Sequence, residues 1–250
     1  DAGMRIENLT IAGSVAAYQY AGGLAGSASG NVTLDNVTNT ATVCAEGIGT
    51  YVAGGLIGHL ADRALLVVNN CRNTGSVTGY VAGGLVGDAG GTLSTIELAN
   101  CNNRGAVTSN GKSAAGLVVG SLNGYGLTYN YTLKGCTNSG AVTSAGDAAG
   151  VSMYGTAEGC TNSGAVTGSY AAGILGNGTA VRCTNAASVV VHGRIGAAGI
   201  VNSSSVGSNV PTSAKFCANL GKVVSVAGQG VMMRAYGIAV GGTIENCFTY

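Results

Sequence analysis

The feature that most constrains the fold of this chain is an internal repeat. One unit is Asn70–Gly87, which reads Asn-Cys-Arg-Asn-Thr-Gly-Ser-Val-Thr-Gly-Tyr-Val-Ala-Gly-Gly-Leu-Val-Gly. Its second half, Ala-x-Gly followed by Leu, Ile or Val, begins at Ala21, Ala53, Ala82, Ala114, Ala148, Ala171, Ala197 and Ala235. Self-similarity of this kind indicates stacked units that share one continuous core.

The first half of the unit, Asn-Cys-x-Asn-x-Gly-x-Val, sets the length of each repeat. Leu9 and Val37 replace the Cys in two early units, and the copies at Cys183 and Cys217 are looser. Successive Cys positions lie 23 to 35 residues apart. The shortest spacing excludes helix-turn-helix repeats but accommodates one solenoid turn of three short strands.

The sequence therefore predicts an all-β fold, a right-handed parallel β-helix (β-solenoid) with three short strands per coil. About eight coils are expected, and Cys247 opens an incomplete ninth. Stacking at ~4.8 Å per coil gives a rod of roughly 40 Å. Residues 1–250 are interpreted as a single β-solenoid repeat domain, a fragment of a longer chain.

Columns of equivalent residues predict which way the side chains point. The apolar column three residues before the Cys is expected to point inside. The polar column two residues before the Cys is expected to point outside. A sharp corner then turns the Cys inward, because Asn and Gly tolerate the left-handed conformation. The corner residues are Asn8, Asn36, Asn70, Asn100, Gly135, Gly159 and Asn246.

A second asparagine column follows the Cys and predicts a buried ladder, in which each amide bonds to the next coil. Its members are Asn73, Asn103, Asn138, Asn162, Asn185 and Asn219. The Gly at the third place of each Ala-x-Gly segment marks a position that either lacks room for a side chain or needs a positive φ.

Composition excludes several classes of function. Charged residues make up 8% of the chain and the net charge is +1, so there is no basic surface for nucleic acid. No apolar run approaches the ~20 residues of a spanning helix, so no membrane insertion is expected in this segment. No signal peptide is visible at Asp1.

Candidate ligand or partner residues lie on loops and exposed columns. Insertions after the third strand, at 59–66, 88–94, 121–130 and 202–214, are expected to project from one corner, where solenoids commonly bind partners. Tyrosines that stand just before the third strand on several coils can stack on sugars or pack against a partner, or can simply shield their own corner from water. The possible ligand or partner surface comprises Tyr20, Tyr51, Tyr80, Tyr170, Asp88, Thr78, Thr108, Thr143 and Thr167.

The eight cysteines allow three interpretations. All but Cys44 share one inward column, which favours a ladder of buried apolar thiols. Pairing between neighbouring coils is the second interpretation. Metal binding is the third and the least favoured, because no Cys-x-x-Cys occurs.

Catalytic patterns are weak. Ser27, His59 and Asp88 fall in one predicted column in the order of a hydrolytic triad, but nothing supplies an oxyanion hole. Glu7 and Asp35 are the only carboxylates that share a column on neighbouring coils, as a carbohydrate-cleaving β-helix would need. We predict no catalytic, metal-binding or cofactor-binding residue.

The combination of Gly-Gly-Leu-Val-Gly with Asn-Cys-x-Asn-x-Gly-x-Val resembles the GLUG-motif repeats. That family occurs in large secreted and surface-attached proteins, largely bacterial, including adhesin-like proteins and the non-catalytic parts of some IgA-cleaving metallopeptidases. The resemblance covers nearly the whole chain and implies a β-solenoid stalk with no chemistry of its own. The peptidase zinc signature His-Glu-x-x-His is absent here.

The functional expectation is a non-catalytic, extracellular or cell-surface protein that forms a stalk or filament segment. Its expected partners are a glycan, a host or cell-surface protein, or a second copy stacked end to end. No cofactor is expected. The alternatives are a polysaccharide lyase or glycoside hydrolase and, from the threonine column, an ice-binding solenoid.

Overall fold

The computed structural model describes residues 3–89, 93–120, 130–192, 196–202, 212–226 and 234–250. Within these residues every regular element is a β-strand, and every pair of strands is parallel and joins one coil to the next. The predicted parallel β-solenoid is thereby confirmed.

Two sheets contain nine strands each and run from the first coil to the ninth. Sheet A consists of Met4–Glu7, Asn31–Asp35, Leu65–Asn69, Thr95–Ala99, Asn130–Lys134, Thr156–Glu158, Thr179–Val181, Ser213–Lys215 and Thr243–Glu245. Sheet B consists of Thr10–Ile11, Thr38–Asn39, Arg72–Asn73, Asn102–Asn103, Thr137–Asn138, Thr161–Asn162, Thr184–Asn185, Ala218–Asn219 and Phe248–Thr249.

Sheet C has fourteen strands because most coils contribute two. They are Ser14–Ala17, Tyr20–Gly22, Thr42–Ala45, Val52–Gly54, Val77–Gly83, Val107–Ala115, Val142–Ser144, Asp147–Ala149, Val166–Gly168, Tyr170–Ala172, Val189–Val191, Ala197–Ala198, Val223–Ser225 and Ala235–Tyr236. The fourth side, sheet D, comprises Ala25–Ala28, Ile57–Leu60 and Val86–Ala89, and later Val201–Asn202 and Ala239–Val240. Its two parts are connected by a series of single-residue parallel bridges, which run from Val86 through Val118, Ser152 and Leu175 to Val201.

The structure divides each coil more finely than the sequence predicts. The three expected strands correspond to sheets A, C and D, and the two-residue strands of sheet B are additional. Two predicted insertions also need correction. Half of residues 59–66 lie within strands, with Leu60 and Ala64 buried, and Asp88–Ala89 ends a strand of sheet D. Residues 90–92, 121–129 and 203–211, which hold the rest of the predicted loops, lie outside the described residues.

The predicted corner is confirmed at every position. All seven Asn and Gly residues of that column have φ between 49° and 61°. Arg182 (φ 52°) and Phe216 (φ 53°) occupy the same corner in the two looser copies. Since a side chain at positive φ costs roughly 1–2 kcal/mol, the architecture imposes the corner even where the residue disfavours it.

The asparagine ladder is also confirmed, and it includes one rung that the prediction omitted, Asn39. From Asn39 to Asn185, each Nδ2 donates to the Oδ1 of the next coil's asparagine at 2.8–2.9 Å, and Nδ2 of Asn219 donates to Oγ1 of Thr249 at 3.4 Å. The same nitrogen donates to the carbonyl two residues ahead at 2.8–3.0 Å. The seven rungs are at most 1% exposed, so these amides bond to each other rather than to water.

The repeated Gly of Ala-x-Gly packs against this ladder. A Cβ on Gly84 would lie 1.9 Å from the carbonyl oxygen of Gly116 and 2.7 Å from Cγ of Asn103. A Cβ on Gly116 would lie 2.5 Å from Cγ of Asn138. None of the eight repeated glycines has a positive φ, so the residue is required for lack of room.

The core lies behind all four sheets, and the cysteine column is part of it. Cys71, Cys101, Cys136, Cys160, Cys183 and Cys217 are buried with the inward leucines and valines of sheet A. All eight cysteines lie in the described residues and none forms a disulfide. The thiol of the preceding coil, together with burial, raises the pKa of Cys160 and Cys183 to about 12. Cys71, at the start of the column, differs, because its interaction with Cys101 lowers its pKa. The buried thiols from Cys101 to Cys217 therefore pack uncharged.

The asparagine ladder predicts a specific stability loss. Asn138→Ala removes the side-chain acceptor of Asn103 Nδ2, one of the two donors to Oδ1 of Asn162, and the donor to the Gly140 carbonyl. We expect it to lower the free energy of unfolding by about 2–4 kcal/mol. The control is Ser139→Ala, next to it but exposed, which should change stability by less than about 0.5 kcal/mol. Urea denaturation monitored by circular dichroism measures both, and equal midpoints would contradict a structural ladder.

The cysteine column predicts a protected thiol pattern. In native protein at pH 8, iodoacetamide should modify half-exposed Cys44 and Cys247 first, because burial keeps the reagent away from the other six thiols, including Cys71 with its lowered pKa. Unfolding without reductant should expose all eight. Peptide mass spectrometry after alkylation gives the count, and fewer than six reactive thiols in denaturant would show that the column is oxidised.

Candidate interaction surfaces

The four predicted tyrosines do not form one surface. Tyr20 pairs with Val52, and Tyr170 pairs with Asp147, in a column that continues along sheet C. Tyr51 and Tyr80 stand one residue earlier in their coils, directly before Val52 and Val81. The structure thus separates the tyrosines into two columns.

Tyr51 and Tyr80 form a half-buried pair at the edge of sheet C. Their ring centroids are 5.6 Å apart at 61°, an edge-to-face contact. Tyr51 Oη donates to Oδ1 of Asn110 at 3.1 Å. The Tyr80 ring lies over Gly111, where a Cβ would come within 2.0 Å of it. The two rings lie against the rod and keep partly solvent-accessible edges.

Tyr170 is corrected from a surface residue to a core residue. It is 2% exposed, and its hydroxyl lies 2.8 Å from the carbonyl oxygen of Gly176 and close to that of Asn202, between which its single hydrogen is shared. The ring is therefore part of the core, where it is not available to stack on a sugar.

The predicted threonine column exists. Thr78, Thr108, Thr143 and Thr167 are in register on consecutive coils of sheet C, and Thr108 and Thr143 are exposed. The column begins after Cys44 and continues as Val190 and Val224. The regular hydroxyl array is therefore four coils long.

Ser27, His59 and Asp88 are in register on three adjacent strands of sheet D, as predicted. His59 Nδ1 lies 3.2 Å from Asp88 Oδ2, and the imidazole stacks on Tyr20 with centroids 4.5 Å apart. No hydrogen bond of the described residues joins Ser27 to His59. Asp88 is only 8% exposed, which corrects its prediction as a surface residue. A carboxylate–imidazole pair is present without an engaged nucleophile.

Glu7 and Asp35 are paired in sheet A, as their shared column predicts. Arg5 forms ion pairs with both, at 3.5 Å from Asp35, and Asn70 Nδ2 donates to Asp35 at 3.0 Å. Both carboxylates are thereby engaged by cationic or amide donors on the outer face of sheet A.

Sequence reasoning missed a notch on the outer face of sheet A. The notch has a volume of about 340 Å³. Its lining residues are Val67, Asn69, Glu97, Leu98, Ala99, Thr132 and Lys134. It exists because Ala99 stands in an outward column between the longer side chains of Asn69 and Lys134. A small residue in a column of long polar ones is the signal that could have found it.

Two further features bear on function. The described residues include no group of three or more His, Cys, Asp or Glu side chains placed to hold a metal ion. None of them belongs to a helix long and apolar enough to cross a membrane.

Fold and surfaces together define a parallel β-solenoid protein. No protein-family model and no curated protein matches the chain. Among solved structures, that of a "putative immunoglobulin A1 protease" from Bacteroides ovatus is similar, with a TM-score of 0.52 and 16% identity. The match covers 95% of this chain and 67% of that chain. At this identity the likeness shows the fold alone.

The reassignment of Tyr170 predicts unequal costs of hydroxyl loss. Tyr170→Phe leaves the Gly176 carbonyl without this donor in the core and should lower stability by about 1–3 kcal/mol. Tyr51→Phe, which loses an exposed hydrogen bond, should change it by less than about 0.5 kcal/mol. Thermal unfolding of the two variants measures the difference. Equal melting temperatures would mean that the Tyr170 hydroxyl contributes nothing to the stability of the fold.

Proposed function

We propose that this chain is a non-catalytic, extracellular structural and adhesive segment of the GLUG-repeat type. It spaces and displays other parts of a surface protein, and it binds a glycan or a host or cell-surface protein on its outward columns. The observation that carries the proposal is the unbroken pairing of sheets A and B through nine coils. Such pairing makes a stiff spacer with long regular faces.

The polar clusters support a non-catalytic role. The Glu7–Asp35 pair is held by Arg5 on an open face, and Ser27 is not engaged by His59. Paired acid and base carboxylates require a cleft in which a glycosidic bond can sit between them. Neither cluster provides one.

Stacking of copies end to end is part of the same proposal. The first coil exposes Met4 and Leu9, and the ninth exposes Ile244 and Phe248, each at 38% or more. In sheets A and B, the strands of both coils have an edge that no strand of the described residues pairs with, and such an edge can pair with another strand. Particle length in electron micrographs should then increase with protein concentration, and a constant length would argue against stacking.

The non-catalytic role predicts no polysaccharide turnover. Wild-type protein incubated with neutral and acidic polysaccharides should release neither reducing ends nor unsaturated products. Turnover that is lost in the double variant Glu7→Ala, Asp35→Ala, and kept in Glu158→Ala, would overturn the proposal in favour of a lyase or hydrolase.

Antibody labelling of intact source cells tests the extracellular location separately, and labelling only after permeabilisation would contradict it.

A further inference from the structure

The outer face of sheet A is built from two columns whose register is continuous through all nine coils. The first column contains Arg5, Thr33, Val67, Glu97, Thr132, Thr156, Thr179, Ser213 and Thr243. The second contains Glu7, Asp35, Asn69, Ala99, Lys134, Glu158, Val181, Lys215 and Glu245. Side chains stand ~4.8 Å apart along the rod and about 7 Å apart along a strand.

Nearly every charge on this face has an ion partner. Arg5 pairs with Glu7 and Asp35. Arg182, at the corner, pairs with Glu158, and Lys215 pairs with Glu245 at 3.0 Å. Glu97 and Lys134 are the exceptions, because neither forms an ion pair with a described residue.

These two exceptions stand on either side of the same notch. Glu97 pairs in the sheet with Thr132, and Ala99 pairs with Lys134, so the carboxylate and the ammonium lie diagonally across the depression. Both side chains are exposed, and the methyl groups of Val67 and Ala99 contribute apolar surface. The notch thus combines an apolar floor, an anionic acceptor, a cationic donor, the Asn69 amide and the Thr132 hydroxyl.

We propose that this notch binds one hexopyranose ring of a neutral glycan. A sugar hydroxyl both donates and accepts, so adjacent hydroxyls can donate to Glu97 and accept from Lys134 or Asn69. The CH face of the ring would pack on Val67 and Ala99. Opposite charges in the notch favour a neutral ligand over an anionic or cationic one, and about 340 Å³ is the lower end of the size of ligand sites, which suits one ring.

The inference rests on the proposed adhesive function and is tested apart from it. Fluorescein-labelled cellohexaose, mannohexaose and maltohexaose serve as neutral probes, with labelled trigalacturonate as the anionic probe, in fluorescence anisotropy titrations of the full chain. We expect saturable binding of at least one neutral probe. Glu97→Gln, Lys134→Met and Ala99→Arg, which fills the notch, should each weaken it at least ~10-fold, since charge-assisted bonds and ring contact are lost.

Two control variants occupy the same face outside the notch. Val181→Arg adds the same side chain to the same column as Ala99→Arg, and Glu158→Gln removes a carboxylate that has an ion partner. Both should bind the neutral probe as the wild type does. Circular dichroism melting curves of all five variants establish that they are folded.

The outcomes separate the two proposals. Absence of saturable neutral-probe binding, equal loss in notch and control variants, or Lys134-dependent binding of trigalacturonate alone would each overturn the neutral-sugar notch. None of these results would affect the surface labelling or polysaccharide assays. Binding that only the notch variants lose, together with polysaccharide turnover, would support the notch and overturn the non-catalytic role.

Discussion

The amide hydrogen bonds that run from Asn39 to Asn219 fix the cross-section of the rod. An asparagine side chain has both a donor and an acceptor, so it can bond to identical copies of itself on the coils above and below. A buried aspartate column would instead place like charges ~4.8 Å apart, at a large cost. Because the amides fill the space opposite each Ala-x-Gly segment, the ladder also explains why Gly recurs there in every coil.

The features predicted correctly depend on residue types at fixed offsets in the repeat. These offsets give the left-handed corner, the inward cysteine and the buried asparagine, and they also align equivalent residues of neighbouring coils, such as Thr108 and Thr143. Arg182 and Phe216 were missed at the corner because neither residue signals a positive φ. Their conformation is set by the coils on either side, since every coil must turn at the same point to keep sheets A and B paired.

Two of the missed features could have been predicted from the repeat. Tyr51 and Tyr80 stand two residues before their Ala-x-Gly segments, whereas Tyr20 and Tyr170 stand one residue before theirs, and a one-residue shift moves a strand side chain to the opposite face. Ala99 likewise interrupts a column of long polar residues. The burial of Asp88 could not be predicted, because it depends on side-chain contacts with His59 and Tyr20, which belong to other coils.

The energetic difference between inner and outer columns indicates where function can reside. A missing rung leaves buried polar groups unpaired, whereas a missing surface ion pair costs at most about 1 kcal/mol. Each coil contacts only its neighbours, so an outward substitution affects stability locally. The residues of the inner columns are therefore constrained by the stability of the fold, while the residues of the outer columns can be substituted with little loss of stability. Charges without an ion partner among the described residues, such as Glu97 and Lys134, are consequently more informative about binding than any repeated element of the core.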